Sequence, residues 1–504
     1  MANPLYDTLF GAHAGAETPF LRFADGRVLT HGAFVAQGAR FAEALTDAGA
    51  RPGDRVAVQV EKSAEMLAVY AACAQAGLIF LPLNTAYTAE EVRYFVENSG
   101  AVVFVCDGRR DVELNPIAAG AGARLETLNA DGSGSLADLA AQKSGNFATV
   151  DRGEDDLAAF LYTSGTTGRS KGAMLTQRNL LSNARALAGL WQFTADDVLL
   201  HALPIFHTHG LFVATNIMLL TGGSMIFLPK FDVDAMIRAM AGATSMMGVP
   251  TFYTRLLDDP RFTRDLAGHM RLFVSGSAPL LAETHIAFED RTGHRILERY
   301  GMTETNMNTS NPYDGARRAG TVGLPLPGVE VKVTDPTSGV SLPAGETGMI
   351  EVRGPNVFRG YWQMPDKTRE ELRPDGWFIT GDLGVIGEDG YVTIVGRGKD
   401  LIISGGYNIY PKEVEEVLDA QPGVLESAVV AAPHPDFGET PVGFLVPAPG
   451  AKIDLAAVEA ALGEALARFK HPRRLIVVAA LPRNTMGKVQ KTLLRDQVAG
   501  LFQS

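Results

Sequence analysis

Cysteine is nearly absent: 504 residues carry two, Cys73 and Cys106. Both sit in apolar segments without CxxC spacing, which argues against a disulfide framework, a redox pair or a structural metal site and predicts buried free thiols. There is no excess of basic charge either. The formal net charge is −12, and a nucleic-acid-binding surface usually leaves a basic footprint, so a nucleic-acid partner is not expected. Long apolar runs are also missing. The most apolar stretch, residues 211–228, contains Asn216, Gly222 and Gly223 and reads as helix, turn and strand, so no membrane span is expected. Residues 1–20 lack a basic segment followed by a long apolar one, which predicts no signal peptide and a cytoplasmic location. Internal repeats are not apparent, and the one Gly/Ser patch, at residues 132–135, reads as a surface loop.

What is present alternates between strand and helix. Residues 56–60 are β-branched and follow the turn Pro52-Gly53-Asp54. Ser63 opens an apolar-periodic helix that stops near Gly77, a short buried strand covers 78–83, and Thr88 and Glu91 form a capping box before a helix that ends at Gly100. This β-α-β repetition predicts largely parallel sheets covered by helices, with ligands gathering outside the carboxyl ends of the strands. Beyond residue 322 short strands alternate with Gly/Pro turns, as in a small barrel-like β unit. After Lys399 the chain becomes a mixture of strand and helix about a hundred residues long, a normal size for a small domain. The expectation is an α/β protein: a large N-terminal domain (1–396) of mostly parallel α/β layers plus a small β unit, then a small mobile α+β domain (397–504), hinged at Lys399.

The densest chemistry lies in Tyr162-Thr163-Ser164-Gly165-Thr166-Thr167-Gly168-Arg169-Ser170-Lys171-Gly172. Three glycines let successive backbone N–H groups turn inward, and five hydroxyls and two cations complete a polyphosphate cradle; a tight strand-to-helix turn is the structural alternative. It is not a Walker loop, because Ser170 and Gly172 stand where that motif needs Gly and Ser or Thr. Four further segments follow: Tyr300-Gly301-Met302-Thr303-Glu304; a strand that ends in Asp382; Gly396-Arg397-Gly398-Lys399-Asp400; and Pro482-Arg483-Asn484-Thr485-Met486-Gly487-Lys488.

Taken in this order, the five motifs resemble the acyl-adenylate-forming superfamily of acyl-CoA synthetases, luciferases and peptide-synthetase adenylation domains. The resemblance spans nearly the whole chain. It implies ATP, Mg²⁺ and CoA as cofactor and co-substrates. Thr163, Ser164, Gly165, Thr166, Thr167, Gly168 and Lys171 would hold the β- and γ-phosphates. Tyr300 would stack on adenine, with Gly301 and Met302 beside it, while Ser277, Ala278 and Pro279 form a pocket wall. Thr303 and Glu304 would approach the α-phosphate, and Glu304 would help to hold Mg²⁺, which prefers oxygen ligands. Asp382 and Arg397 would bind ribose; a solvated surface pair is the alternative. Lys488 would offset the repulsion between an attacking carboxylate and the α-phosphate. Lys399 matches the hinge, and Ser404, Gly405 and Gly406 would line a pantetheine tunnel. His207 would gate the acyl pocket or act as an ordinary structural histidine, and Lys491 reads as surface. An exposed Lys488 would also be open to a lysine acyltransferase and deacylase. A non-catalytic nucleotide-binding protein is the alternative of another class.

Arg299 stands immediately before Tyr300, where many relatives carry a small residue. An unpaired buried guanidinium is strongly unfavourable, so Glu298, a backbone carbonyl or the substrate must meet it. A second carboxylate on the substrate would do so with two parallel hydrogen bonds. Arg255 is a second candidate. The run from Leu297 to Glu304, with Met307 following, closely resembles malonyl-CoA synthetases, which implies a small dicarboxylic acid such as malonate or methylmalonate. A short or medium monocarboxylic acid is the alternative, with Arg299 in an internal ion pair.

Overall fold

The computed structural model describes residues 2–163, 170–404, 407–484 and 487–502, without the side chain of Asn408. Contacts divide the chain into two units: residues 1–330 with 352–378, and residues 331–351 with 379–504. This division differs from the expected boundary at 396, because most of the small β unit counts with the C-terminal residues.

The first unit holds two sheets. In the six-stranded sheet the order is Arg124–Thr127, Val103–Cys106, Arg55–Gln59, Ile79–Pro82, Leu157–Thr163 and Lys171–Thr176, parallel except for the last pair. That antiparallel pair puts the glycine-rich segment between two hairpin strands, against the strand-to-helix alternative. The helix Ala64–Gln75 starts where the Ser63 side chain accepts from Met66 N–H. Burial on nearly all its faces explains why its sequence is apolar all round. The capping box at Thr88 forms as expected, and Gly100 closes that helix in the left-handed conformation (φ 62°). Cys73 and Cys106 are buried free thiols.

The nine-stranded sheet is parallel through its centre and antiparallel at both edges. Its order includes Leu297–Met302, Leu272–Ser275, Ser245–Gly248, Val198–His201 and Ser224–Phe227 as consecutive neighbours. The apolar stretch at 211–228 is a π-helix (His209–Thr215), an α-helix (Asn216–Thr221) and a strand. Among the described residues no helix is long and apolar enough to cross a membrane.

The second unit contains most of an open four-stranded sheet (Glu330–Thr334, Gly348–Arg353, Phe378–Ile386, Val392–Arg397) in simple sequence order, so it is not a barrel. It also contains a five-stranded sheet built on the long hairpin Val424–His434 and Gly438–Pro447. The helices Pro411–Asp419 and Lys491–Val498 are joined by Lys491, whose ammonium lies 2.6 Å from the buried Glu415 carboxylate. Lys491 is therefore a fastening between helices rather than a surface residue. Lys491→Met should cost this unit about 1–2 kcal/mol, seen as faster amide hydrogen exchange across residues 411–434, with Lys491→Arg largely restoring protection.

Candidate active site

Four adjacent parallel strands of the nine-stranded sheet end on the same side and deliver most of the expected acyl-site residues. Val198–His201 leads to His207 and His209; Ser245–Gly248 leads to the helix Pro250–Leu257; Leu272–Ser275 leads to Gly276, Ser277, Ala278 and Pro279; Leu297–Met302 leads to Thr303 and Glu304. This is the strand-end geometry at which α/β sheets bind ligands. Tyr300 is half-buried on the last of these strands, where the antiparallel register shifts between Tyr300 and Gly301. A side chain at 301 could not be placed, because its Cβ would lie 2.0 Å from the Asn306 carbonyl oxygen. Met307 is buried on the returning strand, against Gly301.

Arg299 is 3 % exposed, and its Nε and Nη2 are buried without a hydrogen-bond partner among the described residues. Glu298 Oε1 accepts from Leu280 N–H (3.2 Å), and among the described residues neither Glu298 nor a backbone carbonyl bonds those two nitrogens. Burial pulls the guanidinium down to about 9, against smaller upward effects of Tyr253 and Glu298, which leaves it charged at neutral pH. Gly276 makes room for it: a Cβ there would lie 2.4 Å from the guanidinium carbon. Ser277 follows with φ at +72°, a strained value for a residue with a side chain, and its Oγ is 3.2 Å from His209 Nδ1. His209 is buried, its Nε2 has no hydrogen-bond partner among the described residues, and burial followed by the charge of Arg299 keeps it neutral. His207 is half-buried beside it. His209 is the more enclosed of the two. Arg255 is exposed on its helix rather than among these buried groups; its neighbour Tyr253 is buried and donates to the Val274 carbonyl (2.6 Å).

The second cluster joins the two sheets of the first unit. Residues 355–362 run between them: Phe358 N–H donates to the Glu304 carbonyl, and Tyr361 bridges to Ala173. Glu304 is buried, which raises its pKa, and its Oε1 is 2.9 Å from Tyr361 Oη. The same hydroxyl lies 2.6 Å from Glu371 Oε2, and Lys171 Nζ stands 3.2 Å from Tyr361 Oη and from both Glu371 oxygens. Burial would raise Glu371, but Tyr361, Lys367 and Lys171 together hold it below the ordinary carboxylate range. Tyr361 and Glu371 were not expected from the sequence. An aromatic before a tryptophan and a glutamate in a charged helix look like packing and solvation. Thr163 closes the hairpin strand, its Oγ1 3.4 Å from the Lys171 carbonyl. Ser164, Gly165, Thr166, Thr167, Gly168, Gly405 and Gly406 lie outside the described residues.

In the second unit Asp382 is 3 % exposed and pairs with Arg397 Nε at 2.9 Å. Asp382 sits in the middle of Phe378–Ile386, directly across from Arg397, rather than at the end of a strand or on a solvated surface. Ser404 is buried, and Lys399 lies in a short 3₁₀ turn, Gly398–Asp400. Lys488 is exposed beyond a tight turn in which Gly487 (φ 76°) donates to the Asn484 carbonyl.

Comparisons with known proteins identify the family. Models of the AMP-binding enzyme and of its C-terminal domain match residues 11–362 and 413–488. The chain belongs to the AMP-binding enzyme family. Its fold is that of ATP-bound MatB from Rhodopseudomonas palustris, with a TM-score of 0.98 and 57% identity over the whole of both chains. A malonate–CoA ligase of Arabidopsis thaliana is 35% identical over 89% of this chain and 79% of its own length. A feruloyl-CoA synthase of an Amycolatopsis species is 37% identical over 93% of this chain and 94% of its own.

A buried cation without hydrogen-bonding anions destabilises the ligand-free protein. Arg299→Met should therefore raise the apo melting temperature by scanning calorimetry. A lower apo melting temperature would mean that Arg299 is internally paired after all.

Proposed function

We propose that this enzyme is an AMP-forming acid–CoA ligase acting on malonate, with methylmalonate a second substrate. Relatives of nearly equal identity carry the names of malonate and feruloyl ligases, so overall similarity does not select the acid. The reading is carried by Arg299: a buried guanidinium with two donors that lack acceptors among the described residues. Malonate has one carboxylate for reaction and another for this group. Neutral His209, with Nε2 also open, can donate or accept beside it.

In the reaction one carboxylate oxygen attacks the α-phosphorus of ATP and pyrophosphate leaves. The CoA thiol then attacks the acyl carbonyl, and AMP leaves. Lys488 offsets the repulsion between the two anions in the first step. Mg²⁺ is usually held by one or two carboxylates together with substrate phosphates, and Glu304 is a buried oxygen donor of that kind; the ion would neutralise phosphate charge. Lys399 acts as the hinge at which the C-terminal residues turn between the two steps. Because Lys488 is exposed, a lysine acyltransferase can reach it, and acylation deletes the charge that adenylation needs.

The test is AMP formation with CoA across malonate, methylmalonate, acetate and octanoate. Malonate should give the highest kcat/KM; faster turnover of acetate or octanoate rejects the assignment. Arg299→Ala should raise the malonate KM by about a hundredfold or more while changing the ATP KM little. Lys488→Ala should abolish adenylation yet leave thioester formation from preformed malonyl-adenylate largely intact. Equal loss of both steps would contradict the separate roles. Protein acetylated at Lys488 should likewise fail in adenylation, and full activity would remove the regulatory reading.

A further inference from the structure

We propose that Glu371 is a stand-in anion for the phosphates of ATP: it holds Lys171 between turnovers, yields it when the nucleotide binds, and reclaims it to expel pyrophosphate. This rests on the reading of Lys171 as a polyphosphate ligand. Lys171 lies at the start of its strand, immediately after the phosphate loop. Its ammonium is shared evenly between the two oxygens of Glu371, at 3.2 Å each, and sits 4.2 Å from the centre of the Tyr361 ring. Neither partner is fully buried, at 18% and 22% side-chain exposure.

Removing the cation from a half-buried ion pair normally strands the anion. Glu371 is built differently. Lys367, one helical turn earlier, lies 3.0 Å from Oε1, and the Tyr361 hydroxyl lies 2.6 Å from Oε2. When Lys171 departs, the Glu371 carboxylate therefore keeps a second cation and a neighbouring hydroxyl, so Glu371 is not left unpaired. Asp197 and Arg271 show the contrasting arrangement, a two-point pair at 2.6 and 2.8 Å that locks both partners. A polyphosphate carries more charge than one carboxylate and wins Lys171 while bound. The carboxylate nevertheless competes at every moment, which weakens ATP and pyrophosphate by a similar factor. Glu371 is thus a positioning residue acting through Lys171.

The experiment is Glu371→Gln in the full-length enzyme, with pyrophosphate product inhibition and the ATP and acid KM values as readouts. The amide keeps the shape and loses the charge. The inhibition constant for pyrophosphate and the ATP KM should each fall on the order of tenfold, with the acid KM unchanged, which also verifies the fold. In a Lys171→Met background the same substitution should leave pyrophosphate inhibition unaltered, since the coupling passes through Lys171. Pyrophosphate binding that is unchanged or weaker in Glu371→Gln overturns the proposal and makes Glu371 an ordinary support for Lys171. If Lys171→Met alone leaves pyrophosphate inhibition at the wild-type value, the phosphate role of Lys171 fails first, and the proposal with it.

Discussion

A guanidinium buried with two donors that lack acceptors among the described residues is the constraint around which the strand-end cluster is arranged. Arg299 cannot shed its charge at neutral pH, and burial makes that charge expensive. Three neighbours accommodate the group without neutralising it. Gly276 withdraws its Cβ, Tyr253 commits its hydroxyl to Val274, and His209 stays uncharged. Arg271, by contrast, is closed off by Asp197. Among the described residues no carboxylate does the same for Nε and Nη2 of Arg299.

The carboxyl ends of four neighbouring strands explain why residues a hundred positions apart converge there. Parallel strands share one exit side, so each loop leaving the sheet contributes to the same rim. The second cluster needs another device, because its lysine and its glutamate leave different sheets. Residues 355–362 supply it, hydrogen-bonded to the Glu304 turn and to the Lys171 strand. A change in that segment would disturb the Glu304 and Lys171 cluster without altering any residue of the recognisable motifs.

Much of this was legible in the sequence because local rules governed it. Ser63, Thr88 and Gly100 mark helix ends through capping and backbone preference, which need no knowledge of the fold. Arg299 was legible as a problem, an arginine that Glu298, a backbone carbonyl or the substrate had to meet. Pairings across space were not. The hairpin around the phosphate loop, the position of Asp382 opposite Arg397, and the grip of Lys491 on Glu415 all depend on register or on helix-to-helix contact. A charged residue reads the same in sequence whether it meets water or a buried partner. Glu371 shows this most clearly, since nothing in a run of Lys, Thr, Arg and Glu distinguishes the carboxylate that reaches Lys171.

The two cations of the first unit are handled in opposite ways, and the difference follows from what each is proposed to bind. ATP and pyrophosphate offer many charged oxygens, so their grip on the enzyme is easily too strong for turnover. A resident carboxylate at Lys171 moderates it. Malonate offers few atoms, and the affinity available per atom is limited. Its site therefore cannot spare any attraction, and a competing carboxylate at Arg299 would cancel the one interaction that separates a diacid from a monoacid. Specificity for a small dianion thus requires Arg299 to lack the partner that Lys171 possesses.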